Sequence, residues 1–505
     1  MMTKLSSLFA NVGFPKNVSQ KQINGFVYFL LAVILVISAY QSFRFTSALD
    51  NSGLIADMKG YYTTALDFKK IDYGIGGGYS VFLAIALMIG PKSPYTAYYA
   101  QVLLHLVSIV FIFFIGKRLS GNIAGLIAAA LFAFSLEATI LQGYLHRDLL
   151  RNTLYLGMIC FFASRFDDGK KSVLYKILIG ILFIFALEAK MTTILTILPF
   201  LIVFLFRGWN YLKGLVKKYW ISLLTFFVVM MGFGGLNWYY HGSFTVFELY
   251  ASPLNIYDGN SPVATGISCT ESENFLGKII EKSPFKGDQK KVDEFTMKLV
   301  WEFRKNLPQY VRHLNMVRAI NWWTTDMDQC GVYTVINAGP ALRGKMLIST
   351  FWLFILGIPA SFLFMVLSAI SSINKTKYNY QNHFLMGGLF YGHIAALIIL
   401  AFSFYIFGDT FGKMFLYSML AITGIYTFIL ALCLAKEADN ALLTRWLMVS
   451  GLALDASIYI LFIVVKMRYR IHMIPFYCLC IGGVIGEIVY LIRNKIKSLK
   501  KENPS

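Results

Sequence analysis

The chain has 505 residues, of which 57% are hydrophobic and 14% charged, and its mean hydropathy is +0.61. Soluble domains carry roughly 25% charged residues, so the composition excludes a large globular protein and leaves an integral membrane one. A net charge of +20 would point to nucleic acid in a soluble protein. Here the cations lie in short loops between apolar runs, where membrane orientation and anionic headgroups account for them, and no nucleic-acid partner is expected.

A membrane span needs about 20 mainly apolar residues. The first such run, 24–42, follows Lys16 and Lys21 and lacks a small-residue cleavage site, so it reads as an uncleaved span. The polar segment 43–94 comes next. It carries the pattern D-x-x-G-Y-Y-x-x-A, with Asp57, Gly60, Tyr61, Tyr62 and Ala65, and then a glycine cluster ending at Tyr79. Its apolar stretch Tyr79–Ile89 is too brief to cross and predicts a helix lying in the interface. Further spans are expected at 95–116, 122–140, 149–164, 173–189, 192–206 and 219–240. Segment 241–345 is mixed in character, with Pro253, Pro262, Pro284 and Pro308, and is long enough for a small folded cap. Spans at 346–370, 384–405, 414–434, 446–465 and 472–491 complete the chain.

The expected architecture is an all-α polytopic membrane protein of about 12 transmembrane helices. It has interfacial helices in the first outward loop and a small extracytoplasmic cap. Three parts follow: a transmembrane module 1–240 that includes loop 43–94, the cap 241–345, and a C-terminal transmembrane module 346–505.

Sidedness follows from the basic residues. Short loops on one side hold 22 Lys and Arg, those on the other hold 12, and the remaining 12 lie in 241–345. The dense side is cytoplasmic by the positive-inside rule, so both termini face the cytoplasm and the Asp57 loop faces outward. Cys160, Cys433, Cys478 and Cys480 fall inside spans as small apolar groups. Cys269 and Cys330 are the two cysteines of the long outward loop, and in an oxidising compartment they are expected to pair. No Cys/His spacing suggests zinc. Dependence on a divalent metal stays open.

Several polar groups sit where chemistry is plausible. A helical turn over D-x-x-G-Y-Y-x-x-A would point Asp57 one way and pack Tyr61 and Ala65 another. A carboxylate held at the bilayer edge can accept a proton from an attacking hydroxyl. Asp50, Asp67 and Asp72 read as solvated acids. The next outward turn, Gly143-Tyr-Leu-His-Arg-Asp-Leu-Leu-Arg, puts His146, Arg147, Asp148 and Arg151 at the mouth of a span, where polar groups are costly unless paired or used. Helix capping would explain Asp148 alone. Lys190 has Glu188 beside it, and an interfacial ion pair and a lipid-phosphate contact are both open. Before the last span, Lys466-Met-Arg-Tyr-Arg-Ile-His runs against the positive-inside rule. Arg468 and Arg470 alternate around Tyr469 there, a layout suited to clamping a phosphate. Lys413, after Gly408-Asp-Thr-Phe-Gly, is a weaker candidate of the same kind. Asp455 and Glu487, within spans, read as interhelical hydrogen-bonding groups.

These motifs in order resemble a known family. The first-loop D-x-x-G-Y-Y-x-x-A is followed by G-Y-x-x-F-L-A from Gly78 and by Leu87-Met-Ile-Gly-Pro-Lys-Ser-Pro. A span then ends Gly116-Lys-Arg-Leu-Ser-Gly, an acid opens the fourth span, and R-Y-R-x-x-x-x-P-F precedes the last. The chain resembles the GT-C superfamily of integral-membrane glycosyltransferases, especially the bacterial protein mannosyltransferase-like branch, over about 20–206 and 463–490. The resemblance implies transfer of a sugar from a polyprenyl-phosphate carrier to an acceptor hydroxyl, with inversion, on the periplasmic face of a bacterial inner membrane. Asp57 would be the catalytic base, and Asp148 would assist or orient the substrate. Lys190, Arg468 and Arg470 would stabilise the leaving phosphate, because fixed cations act strongly in a poorly hydrated site. Tyr61, Tyr62, His146, Arg147, Lys413 and Tyr469 complete the expected substrate-binding set.

Two departures stand out. Met58 follows Asp57 where many members have a second acid, and His-Arg-Asp stands where a Ser-Glu pair is often seen. A flippase or other transporter of lipid-linked sugars is the main competing reading, and an O-antigen polymerase or ligase the next. Transporters tend to place binding groups near the midplane on interrupted helices, whereas the charged candidates here gather at the outer ends of spans. The sugar, hexose or pentose, and the acceptor, whether lipopolysaccharide, another cell-envelope glycan, a lipid or a protein, are not encoded by any local motif.

Overall fold

The computed structural model describes residues 20–47, 49, 54, 56–73, 77–163, 172–189, 193, 198–246, 253–265, 270–285, 288–323 and 474–502. Every regular element among them is a helix. Four predicted spans (346–370, 384–405, 414–434 and 446–465) lie outside the described residues. So do Lys190, Cys269, Cys330, Lys413, Arg468, Tyr469 and Arg470.

The first predicted span is α1, Gln20–Ser47, and no acid interrupts it. Phe29, Val36 and Tyr40 on its surface are more than 60% exposed, as expected of a helix whose outer face meets lipid. After the first loop, α2 (Ala56–Ala65) and α3 (Gly78–Ile89) precede α4, Pro94–Ala133. Ser93 caps α4 by accepting from the Tyr95 amide, and Pro94 opens it where a missing N–H costs nothing.

The element α4 is a hairpin. Its backbone leaves helical geometry at Ser120 and at Gly121, whose φ of 92° favours glycine. The arms run back along each other, so that His105 meets Phe132 with ring centroids 5.0 Å apart. A Cβ on Gly125 would lie 2.5 Å from the Phe113 carbonyl oxygen, which leaves glycine as the residue that fits this crossing. The arms are the predicted spans 95–116 and 122–140, although the second ends early. A short helix, α5 (Leu136–Ile140), and a 3₁₀ turn (Leu141–Gly143) replace its last turns.

Two more predicted spans appear as α6, Arg147–Ala163, and α7, Ser172–Ala189, which are antiparallel neighbours with Phe161 against Tyr175. The next element, α8, Leu198–His241, departs from expectation. It joins the spans predicted at 192–206 and 219–240, and the basic stretch Arg207–Lys218, expected as a loop, is helical. The polar residues there are mostly Lys, Arg and Asn on an otherwise apolar background, and long-chain cations are good helix formers. A straight helix of 44 residues would be about 66 Å long. That length does not fit the contacts. Thr193 bonds the Ala186 carbonyl, and Phe185 packs on Phe233. Five residues of chain from Thr193 to Leu198 reach at most about 18 Å. The element is therefore bent, in keeping with two apolar runs flanking the basic stretch. Exposed Trp220 and Trp238 mark a helical length of about 27 Å, close to the thickness of a bilayer core.

The last helix, α13 (Ile474–Glu502), lies along the second arm of α4. Cβ atoms on Gly482 and Gly486 would come within 2.5 and 2.8 Å of the Ala124 and Ser120 carbonyl oxygens. The bundle thus has two distinct ends. At one, Asn122 donates to Asn24, Lys117 donates to the Tyr28 hydroxyl, and Gly486 meets Ser120. At the other, Tyr95 donates to the Leu49 carbonyl and His241 meets Ile71. The start of α1 and the Gly486 turn of α13 share the first end. The loop carrying Asp57 shares the second.

Residues 253–323 form α9 (Pro253–Gly259), α10 (Thr270–Glu281), α11 (Gln289–Asn306) and α12 (Pro308–Trp323). Tyr257, Leu276 and Val300 make one small core, and Ala264, Phe303, Val311 and Leu314 another. Arg304 donates to Asn260 Oδ1 at 2.7 Å. Arg318 is fully buried, and burial, with Arg304 adding to it and Asp258 opposing, lowers its pKa to about 10.

Candidate active site

Three segments distant in sequence build the site. In α2 the buried residues are Met58, Tyr62 and Ala65, spaced so that one helical face meets the core with α3. Asp57 falls off that face and remains about half exposed. Ala65 packs inward as expected. Of the two tyrosines, Tyr62 is the more deeply buried, while the Tyr61 ring lies nearly perpendicular to those of Tyr79 and His146, with centroids 5.0 and 5.6 Å away.

The glycine cluster has a steric cause at two positions. A Cβ on Gly77 would fall 2.3 Å from the Asp72 carbonyl oxygen. One on Gly78 would fall 2.7 Å from Glu188 Cβ, so the start of α3 can seat against the end of α7 only as glycine.

The second segment is the turn between α5 and α6, held by one amide. Gln101, wholly buried in the first arm of α4, donates from Nε2 to the carbonyls of Gln142 and Tyr144 at 3.0 and 2.9 Å. Its Oε1 accepts from the Tyr79 hydroxyl at 3.2 Å. That phenol stays protonated. Burial raises its pKa well above the ordinary value, with Tyr61, Tyr98 and Tyr144 adding to it. Gly143 lets the turn approach α1, since a Cβ there would lie 2.9 Å from Phe45 Cε1.

This turn presents His146 between two carboxylates. Asp148 Oδ2 lies 2.7 Å from His146 Nδ1, and Asp57 Oδ2 lies 3.7 Å from His146 Nε2. Tyr144 stacks on the ring at 5.7 Å. The His146 and Asp148 side chains are about 95% buried, whereas Asp57 is 49% exposed. The cluster runs from a closed interior to an open mouth. Arg151, also buried, donates from Nε to Thr193 Oγ1 at 3.0 Å, and that hydroxyl donates to the Ala186 carbonyl. Arg147 is half-buried beside them.

The third segment fixes the rest of the first loop. Tyr73 stacks on Phe233 and Tyr240 of α8, and its hydroxyl donates to the Phe68 carbonyl. His241 Nε2 lies 2.9 Å from the Ile71 carbonyl oxygen. Asp67 caps the 3₁₀ turn Phe68–Lys70 by accepting from the Lys69 amide, and Asp72 is 69% exposed, so both fit the reading as solvated acids. Among the described residues, no group of three His, Cys, Asp or Glu is arranged to hold a metal ion.

Asp57, Tyr61, His146 and Asp148, all named from the sequence, therefore meet at one end of the bundle. Tyr62 lies in the core behind them. Sequence reading missed Gln101, Thr193 and His241. The signal for Gln101 was a lone amide within an apolar run. His241 and Thr193 had none, because their roles arise from tertiary contacts.

Residues 78–236 match the family described as dolichyl-phosphate-mannose-protein mannosyltransferase. The match runs from α3 into α8. It takes in Gln101 and the His146–Asp148 turn and begins after Asp57. Over this stretch the chain is similar to the glycosyltransferases to which its motifs pointed. No curated protein matches the chain. Among solved structures, the oligosaccharyltransferase AglB from Archaeoglobus fulgidus, in complex with an inhibitory peptide and a dolichol-phosphate, is 13% identical. That match covers 90% of this chain and 56% of that one, with a TM-score of 0.30. ArnT from Cupriavidus metallidurans, bound to undecaprenyl phosphate, is 13% identical over 92% of this chain and 78% of its own, with a TM-score of 0.33. The chain thus spans little more than half the length of the archaeal enzyme.

Proposed function

We propose that this chain, whose residues 78–236 carry the protein-mannosyltransferase pattern of the GT-C superfamily, transfers a sugar from a polyprenyl-phosphate carrier to an acceptor hydroxyl with inversion. The observation that carries this reading is the convergence of Asp57 with the His146–Asp148 turn at the end of the bundle opposite Lys117. In the reaction, Asp57 accepts the acceptor's hydroxyl proton as that oxygen bonds to the anomeric carbon. The carbon–oxygen bond to phosphate breaks, and its electron pair leaves with the polyprenyl phosphate. Arg147 is half-buried beside His146, and Arg151 is buried one turn further along α6. Arg468 and Arg470 precede α13, whose Ile474 belongs to the core shared with α4 and α6, and with Lys190 they are assigned to the leaving phosphate. Fixed cations stabilise charge developing in a site shielded from water.

In this reading the chain crosses the membrane about 12 times, with both termini cytoplasmic and the Asp57 mouth at the periplasmic face of a bacterial inner membrane. The acceptor is a cell-envelope glycan such as lipopolysaccharide, with a lipid or protein hydroxyl as the alternative class.

The test uses the full chain in nanodiscs with undecaprenyl-phosphate-linked mannose or arabinose and a membrane-extract acceptor, scored by release of undecaprenyl phosphate. Turnover in the unaltered chain and a loss of about 10²–10⁴-fold in Asp57→Asn, with carrier binding retained, are expected. Full turnover in Asp57→Asn overturns the assignment of the base. Movement of intact lipid-linked sugar across the bilayer, with no release of carrier from either donor, favours the transporter.

A further inference from the structure

We propose that α8 carries a docking surface for anionic phospholipid headgroups, made by Trp209, Lys213, Val216 and Trp220 with Lys217 beside them, at the end of the bundle away from Asp57. This surface lies outside the transfer reaction and holds whether or not Asp57 is the base.

Its place follows from the course of α8. The helix reaches the Asp57 end at His241, which meets Ile71, so its earlier turns lie toward the opposite end. Its contact with α7 is set at Gly180, where a Cβ would lie 2.4 Å from the Ser222 carbonyl oxygen, and continues through Phe183 against Phe226. From Ser222 back toward Trp209 the helix goes on, but its surface opens. Trp220, Val216 and Trp209 are 54%, 45% and 65% exposed, and Lys213 and Lys217 are exposed as well. Along the chain the stretch is flanked by the apolar runs 198–206 and 219–240, and both belong in lipid. A bent element with both flanks in the bilayer leaves its middle at the headgroup layer.

The side chains suit that layer. Helical residues follow one another by about 100°, so Trp209, Lys213, Val216 and Trp220 share an arc of about 60°, with Lys217 about 40° beyond it. Lys213 Nζ lies 5.8 Å from the Trp209 ring centroid, as neighbours four residues apart on a regular helix do. A purely solvated cationic face would leave two large indole rings in water. At a bilayer edge the rings meet the acyl boundary while their N–H groups meet the headgroups, and lysine stems reach past such rings to phosphate. The charge is of one sign. The helix holds Arg207, Lys213, Lys217 and Lys218 and no Asp or Glu. Aromatic and basic groups interleaved on one face, with no acid on the element, fit a partner that is apolar within and negative at its surface.

The test places the full chain in nanodiscs of phosphatidylcholine that contain a minor fraction of acyl-brominated phosphatidylglycerol or, in parallel, of phosphatidylcholine brominated at the same position. Bromine quenches tryptophan on contact, so excess quenching by the glycerol lipid reports its enrichment beside the rings. Each nearby lysine contributes up to about fivefold to that enrichment at low salt. The excess should shrink as salt is raised from about 0.05 to about 0.5 M. It should fall in Trp209→Phe/Trp220→Phe, which removes the reporters but keeps aromatic rings, and in Lys213→Gln/Lys217→Gln. It should survive in Lys213→Arg/Lys217→Arg. Equal quenching by the two lipids in the unaltered chain, or an excess indifferent to salt, overturns the proposal even if a variant fails to fold. An excess kept in the phenylalanine or glutamine pair puts the lipid elsewhere and overturns it too. Loss of the excess on adding equimolar undecaprenyl phosphate gives the face to the carrier instead of to bulk anionic lipid, and likewise refutes it.

Discussion

Replacing Gln101 by Leu isolates the contact that holds the His146 turn in place. The side chain is wholly buried and makes three hydrogen bonds, to the carbonyls of Gln142 and Tyr144 and from the hydroxyl of Tyr79. Leucine is close in volume, so little of the effect comes from a cavity. What changes is that two carbonyls lose their Gln101 donor and a buried phenol loses its acceptor. Removing one partner of a buried pair costs about 1–3 kcal/mol. The three together, softened by some relaxation of the turn, amount to about 3–6 kcal/mol. Tyr79→Phe removes one of the three bonds and should cost about 1 kcal/mol. Denaturant unfolding of both variants in the same detergent, followed by tryptophan fluorescence, measures the difference. Because the turn carries His146 and Asp148, Gln101→Leu should also reduce turnover while Tyr79→Phe leaves most of it. If the two variants were equally stable, the turn would be held by something other than Gln101, and its place behind the site would be wrong.

Gly125→Val would put side-chain atoms where even a Cβ lies 2.5 Å from the Phe113 carbonyl oxygen, so the arms of α4 must part, at about 2–3 kcal/mol or more. Gly214→Ala, in α8 with no atom near its Cβ position, should be neutral or stabilising by up to about 1 kcal/mol; reversal of that order in thermal unfolding would refute the hairpin. Tyr62, Tyr73 and Tyr79 have raised pKa values, each chiefly through burial, so the folded chain keeps phenol protons that the unfolded chain loses above about pH 10. Their contribution is complete below that pH and falls as pH rises. The melting temperature should drop between about pH 9 and pH 11, less steeply in Tyr79→Phe, and an identical slope would remove Tyr79 from the account. Cys269 and Cys330 should resist thiol labelling in protein taken from the periplasm-facing membrane until a reductant is added, and prompt labelling of both would exclude their pairing.

How much of this was legible beforehand depended on whether the cause was local. Apolar runs gave α1, α6 and α7 to within a few residues, because burial in lipid acts residue by residue along a helix. The D-x-x-G-Y-Y-x-x-A spacing correctly made Asp57 the residue turned away from a packed face. The basic stretch 207–218 was misread as a loop because charge signals the membrane boundary well but says little about whether the helix continues through it. The second arm of α4 ends at Ala133 and gives way to the turn that carries the chemistry. Its apolar run is interrupted at Ser135, Glu137 and Thr139, and Ser135 accepts from the Ala138 amide at the start of α5, a capping signal that the span reading passed over. Asp57 and His146 are the sharper case. Each was visible alone, Asp57 as a loop acid or a base and His146 as a substrate contact. Their meeting depends on Gly78 seating α3 against Glu188 and on Gln101 drawing the turn down onto Tyr79. A glycine and an amide, neither of them reactive, thereby bring the first-loop acid to within 3.7 Å of the imidazole of the turn.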